Sequence, residues 1–309
     1  MFKVEYGTHE HKIDVTEVAY TKCTKSSILY IPSIDDARAR LFPDPVYGKV
    51  KHIFLTNNGI TKEYSSTVPI FINTVTNTVI ENIEEIRNVY EDAYVDIKLQ
   101  LIQSSLQIRH GSFRDECPEQ KMAVRFLTGS EKVLEIGGNI GRTSVIISSI
   151  LKSNNMVTLE SDPTIAKKLQ ENRDLNNLSF HIESCALSMR PLIQRGWDTI
   201  VSDTVLDGYT KVKTISLEEL KEKYQIPFDT LILDCEGAFF YILQDMPSIL
   251  NGIKMLIMEN DYFDITHKQF IDAKLKERGF QCVYTESLGP GWEHKKFTCE
   301  KEFFQVWKA

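Results

Sequence analysis

Two stretches hold side chains whose types and spacing could do chemistry. The first is Glu135-Ile136-Gly137-Gly138-Asn139-Ile140-Gly141, between an apolar run and the start of a helical pattern. Glycines at such a turn let a ligand approach the backbone closely, and the free N–H groups of a helix start carry partial positive charge. That suits a nucleotide-like ligand, in competition with a tight turn that holds nothing. The dinucleotide fingerprint G-x-G-x-x-G is not met, because Asn139 and Arg142 stand where glycines should be, and Thr143 lacks the Gly-Lys pair of a phosphate loop. Glu135 offers an anion to a cationic amino-acid tail, directly or through water. Together with Gly137, Gly138, Asn139 and Gly141 it therefore asks for S-adenosylmethionine rather than a pyrophosphate.

Glu160 ends the next apolar run, where a carboxylate accepts ribose hydroxyls in related nucleotide folds. Asp162-Pro163 supplies the helix cap and first-turn proline, which leaves Glu160 for the sugar. Cys185 and Ala186, after the third run, fall at the level of an adenine ring.

The second stretch is Asp234-Cys235-Glu236-Gly237, followed by Glu259-Asn260. Both close apolar runs, so Asp234, Glu236 and Glu259 converge beside a methyl donor and are the candidate catalytic groups. Methylating a hydroxyl requires an in-line acceptor and a proton acceptor, which a carboxylate provides. Asp234, Glu259 and Asn260 are also oxygen donors of the kind that Mg²⁺ or Mn²⁺ takes. For Glu236, a helix-start carboxylate on the macrodipole is the competing explanation. Cys235 has no paired histidine and is not a nucleophile. His9, His11 and His181 fit strand faces or edges, and His267 fits a surface helix capped by Thr266. Trp292, Phe303, Phe304 and Trp307 either frame a pocket or pack the last strands.

The elements that must position these groups are legible from periodicity. Residues 1–80 are rich in β-branched residues and turn signals, with Asn58-Gly59 as a hairpin cue, and predict a small all-β module. Residues 81–110 follow helical spacing and predict a connector. From 111 to 309, apolar strands alternate with amphipathic helices, which predicts a mostly parallel sheet covered on both faces. The segments FQCVYTES and KEFFQVWK add antiparallel strands at one edge.

Composition narrows the classes. The 309 residues carry Lys+Arg 36 against Asp+Glu 43, a net charge of −7, which disfavours a nucleic-acid partner or an anionic membrane surface. Six scattered cysteines without C-x-x-C pairs fit free thiols in a reducing compartment. No signal-peptide pattern or long apolar run is present, so a cytoplasmic setting is expected.

The segments VLEIGGNIGRTS, VTLESDP, CALS, VKTISLEEL, FDTLILDCEGAFFYILQDMPSIL and MLIMEN resemble the FkbM-type S-adenosylmethionine-dependent methyltransferases. The resemblance runs from about Gly111 to the C-terminus. It implies a Rossmann-like class I methyltransferase sheet with an antiparallel edge strand, S-adenosylmethionine as cofactor, and O-methylation of a sugar or glycan. The family commonly has a lysine two residues before the strand-four aspartate and a glutamate after E-G-A. Here those places hold Ile232 and Phe239, a departure that bears on the acceptor more than on the cofactor. The N-terminal PSIDDARARLFPDPVYGKVKHIFL resembles a β module of large DNA virus proteins, which would imply glycan decoration in a host cytoplasm.

Two other classes compete. One is N-methylation of a small molecule, against which stands the absence of an Asp/Asn-Pro-Pro-aromatic run after strand four. The other is a catalytically idle glycan-binding or structural protein, against which stand the intact glycine loop and Glu160. Acceptor identity, metal dependence and oligomeric state are not written in the sequence.

Overall fold

A computed structural model describes residues 1–289 and 298–309 of the chain. It divides into two units, Met1–Val95 and Asp96–Ala309, with the helix Glu91–Ser105 running across the boundary.

The first unit holds two four-stranded antiparallel sheets. In one, Lys12–Asp14, Lys3–Gly7, His52–Asn57 and Ile60–Tyr64 lie side by side. The Asn58-Gly59 hairpin cue holds, since Asn57 pairs with Ile60 and both turn residues have positive φ, 51° and 78°, as a type I′ turn requires. Alternate residues Val4, Tyr6, Ile53 and Leu55 face inward and meet Leu29, Ile31, Ile70 and Ile72 of the second sheet. Two helices of seven residues, Thr16–Lys22 and Asp35–Leu41, accompany the sheets. Neither has a side-chain N-cap, so neither carries the start signal that marks a helix in sequence.

The second unit is built on a seven-stranded sheet. Its strands are β1 (Val133–Ile136), β2 (Met156–Leu159), β3 (His181–Glu183), β4 (Thr230–Leu233), β5 (Met255–Glu259), β6 (Gln281–Glu286) and β7 (Phe304–Lys308). Their spatial order is β3-β2-β1-β4-β5-β7-β6. β1 to β5 run parallel, while β7 pairs antiparallel with β5 and β6. This is the Rossmann-like methyltransferase sheet that the sequence led us to expect, with its antiparallel strands at the edge. All four residues of β1, β2 and β4 are buried, so these strands read as continuous apolar runs instead of alternating ones.

Helices α1 (Cys117–Phe126), α2 (Arg142–Ile150), α3 (Pro163–Leu175), α4 (Leu217–Tyr224), α5 (Phe239–Asp245) and α6 (Ile265–Glu277) cover the faces. Pro118 lies in the first turn of α1. Asp162 caps α3, accepting from the N–H groups of Thr164 at 2.7 Å and Ile165 at 3.2 Å. For α6 the cap is Asp264, not Thr266, because the Asp264 carboxylate accepts from both the backbone N–H and the hydroxyl of Thr266.

The segment 178–187 does not form one strand. β3 stops at Glu183, and Ala186–Leu187 pairs in parallel with Thr214–Ile215. The intervening residues build a three-stranded antiparallel sheet in the order Asp198–Val201, Leu192–Arg195, Thr210–Val212. Its first hairpin turns at Gly196-Trp197, with Gly196 (φ 58°) at the position where a II′ turn takes glycine.

Candidate active site

In an open parallel sheet, ligands bind beyond the carboxyl ends of the strands where the strand order reverses, here between β1 and β4. The chain makes that junction tight. Gly137 has φ 94°, and a Cβ built there would overlap the carbonyl of Asp234. A Cβ on Gly138 would come within 2.7 Å of Leu169 Cδ1. Gly141 (φ 86°) is the N-cap of α2. Asn139 (φ 46°) holds a left-handed conformation that asparagine tolerates, and its N–H donates to Glu160 at 2.9 Å.

A cavity of about 890 Å³ opens onto this junction. Among the expected cofactor residues, Gly137, Asn139, Glu160, Cys185 and Ala186 line it. Asp234, Glu236 and Glu259 line it as well, so one space joins the glycine turn to the strand-end acids.

Glu160 is buried, and each of its oxygens accepts one backbone N–H, from Asp162 at 2.8 Å and from Asn139 at 2.9 Å. An ionised carboxylate has about four acceptor sites, so beyond these two and a contact from the Ser161 side chain room remains for a ligand hydroxyl. Burial raises its pKa against these two bonds. Cys185 is buried, which pushes its thiol up to about 11.

Glu135 takes a different place from the one its position suggested. It does not line the large cavity; its Oε2 accepts from Ser144 Oγ at 2.6 Å and from the Thr158 hydroxyl. It braces the turn from behind and faces a small cavity of about 20 Å³ instead. Burial pushes its carboxyl up to about 7, with the two hydroxyl donors opposing that shift.

Asn260 also departs from the expected donor set. It is fully buried, its backbone N–H donates to Phe303 at 2.7 Å, and its side-chain amide donates to Glu302 at 2.7 Å and Gln305 at 3.2 Å. Successive strand residues point to opposite faces, so when Glu259 faces the site Asn260 must turn to β7. Its place beside Asp234 and Glu259 is taken by Glu119 of α1; one carboxylate oxygen from each of the three lies within 4.8 Å of the others. Burial first, then the neighbouring carboxylates, raise Asp234 and Glu259 well above the usual range and Glu119 to about 7.

Glu236 is exposed, in a left-handed conformation (φ 51°) followed by Gly237 (φ 78°). The turn is held from β5, where Asp261 Oδ1 accepts the Gly237 N–H at 2.8 Å. A non-glycine residue held this way stores strain, a feature of functional turns.

Of the remaining candidates, His267 stacks on Phe240 with ring centroids 3.7 Å apart, and His181 is an exposed edge residue against Tyr224. Phe303 and Phe304 line the cavity, while Trp307 packs in the core. Trp292 lies outside the described residues.

Several site residues escaped sequence reasoning. Glu116 accepts from Arg142 Nη2 at 2.6 Å and from Thr143 Oγ1 at 2.9 Å, tying α1 to α2. Glu116 and Glu119 look in sequence like ordinary first-turn acids on a macrodipole, and only the fold shows them facing the strand ends. The inserted sheet contributes Leu192, Gln194, Trp197, Thr199 and Val201 to the cavity wall.

No protein-family model matches the chain, and no curated protein matches it. Solved structures that resemble it include ribosomal protein L11 methylase from Lactobacillus delbrueckii subsp. bulgaricus, at 12% identity and TM-score 0.41, covering 65% of this chain and 81% of that one. An O-methyltransferase from Bacillus cereus in complex with SAH has 15% identity and TM-score 0.37, covering 72% and 94%. Fibrillarin from Aeropyrum pernix with bound S-adenosyl-L-methionine has 12% identity and TM-score 0.36, covering 64% and 75%. Similarity at this level carries no assignment of activity, and the fold described above rests on strand order and direction.

Proposed function

We propose that this chain is an S-adenosylmethionine-dependent O-methyltransferase acting on a hydroxyl of a sugar or glycan. The observation that carries the reading is the single cavity lined at one side by Gly137, Asn139, Glu160, Cys185 and Ala186 and at the other by Asp234 and Glu259. Gly137, Asn139, Glu160, Cys185 and Ala186 would hold the nucleoside, with Glu160 accepting from ribose, and the cofactor would supply a methyl group on the side of the acids. The acceptor oxygen forms the new C–O bond as the C–S bond breaks, the electron pair stays on sulfur as a thioether, and the hydroxyl proton passes to a carboxylate. Asp234 and Glu259 suit that last step because both strand-end carboxylates line the cavity where the acceptor would sit. In-line positioning contributes the larger part of the rate.

The sugar assignment follows the FkbM-type resemblance and fits the cavity wall. Trp197 and Tyr241 line it, and Arg190, held by Asp245 at 2.5 Å, and Gln194 offer polar contacts. Methyl transfer from labelled cofactor across monosaccharides, nucleotide sugars and glycans tests the reading. We expect at least one sugar acceptor, with turnover cut at least tenfold in Asp234→Asn. Transfer only to amines, or full turnover in the variant, would contradict it.

A further inference from the structure

We infer that Glu119, Asp234 and Glu259 form a binding site for one hard divalent cation, set between α1 and the ends of β4 and β5. The inference concerns ion binding alone and stands apart from the nucleoside reading.

Three observations converge on it. One oxygen from each carboxylate lies within 4.8 Å of the others, drawn from a helix and two strands. Donors on opposite sides of an ion are about 4.2 Å apart for bonds of ~2.1 Å and about 4.8 Å apart for bonds of ~2.4 Å. A ceiling of 4.8 Å therefore admits hard divalent ions from magnesium to calcium in size. Second, the Glu119 Oε2 atom is shut off from solvent and accepts no hydrogen bond. A buried acceptor without a donor costs free energy, and a cation supplies what it lacks. Third, these residues bound a cavity of about 20 Å³, the size of one water or ion, also lined by Glu116 and Glu135.

The local charge balance points the same way. Arg142 reaches this corner and is engaged by Glu116 at 2.6 Å and Asp115 at 3.0 Å. Three carboxylates this close repel one another when ionised, and a divalent ion between them offsets that repulsion. The set is all carboxylate oxygen, which suits Mg²⁺, Mn²⁺ or Ca²⁺. Opening onto the large cavity through Asp234 and Glu259, the ion would keep a coordination position for an acceptor oxygen.

The test uses the full chain, stripped with EDTA and titrated with MnCl₂ while the free-ion EPR signal is followed, with no nucleoside present. We expect one ion per chain, affinity that tightens at least tenfold from pH 6 to pH 8, and competition by CaCl₂ or MgCl₂. Glu119→Gln, nearly isosteric, should weaken binding at least tenfold while keeping the melting temperature. Asp234→Asn provides a second variant with the same expected direction. No binding at millimolar manganese, affinity independent of both variants, or stoichiometric displacement of manganese by S-adenosylhomocysteine would overturn the inference. The last result would assign the corner to the cofactor's cationic tail.

Discussion

A methyl group at position 137 would collide with the carbonyl of Asp234, so the residue that opens the glycine turn also sets how closely β1 and β4 approach. With φ at 94°, any side chain there meets backbone strain as well as overlap. Gly137→Ala is therefore expected to lower the melting temperature by several degrees and to abolish S-adenosylhomocysteine binding, read by thermal shift and calorimetry. A variant that melts and binds like the parent would show that the junction yields. Gly137, Asn139 and Glu160 were legible in the sequence because a glycine turn after an apolar strand has few physical uses. Glu119 was not, since an acid in the first turn of a helix already has an electrostatic reason to be there. Asn260 misled for a simpler reason. Adjacency in sequence within a strand means opposite faces, and spacing alone does not say which of two neighbours looks into the site.

Between residue and molecule lies the sheet 192–212, which, like the helices Thr16–Lys22 and Asp35–Leu41 within the expected all-β module, the sequence did not signal. Its strands are three or four residues long and mostly exposed, so they lack the buried alternation that marks a strand. The parallel strands β1, β2 and β4 are not longer, but they are buried at every residue and were plain for the opposite reason. The insert leaves Trp197, Val201, Val205 and Leu206 exposed. Because Trp197 also lines the cavity, Trp197→Ala should raise the acceptor KM several-fold while leaving S-adenosylhomocysteine affinity unchanged. Equal loss of both would place the tryptophan in folding instead of acceptor binding. Among the described residues, no helix is long and apolar enough to cross a membrane.

At the scale of the whole molecule, a set of buried carboxyls is held above the ordinary range: burial pushes Glu119, Glu135 and Asp261 up to about 7 and raises Asp234 and Glu259 well above their usual values. Between the unfolded value near 4 and the folded value, the folded chain binds the extra protons, so stability is present at low pH and is lost as pH rises. In EDTA at constant ionic strength, the melting temperature at pH 5.5 should exceed that at pH 8 by roughly 5 °C, since one net proton over two units is worth ~3 kcal/mol. A flat profile would mean that the acids are solvated. Manganese should recover the loss at pH 8, because an ion that binds only the folded state stabilises it.

The account depends most on a nucleoside occupying the space between the glycine turn and the strand-end acids. Calorimetric titration of S-adenosylhomocysteine into the full chain tests this directly. One site per chain is predicted, weakened by Glu160→Ala by about 1–3 kcal/mol as the hydroxyl acceptors are removed. Absence of heat, or an affinity untouched by Glu160→Ala, would contradict the assignment.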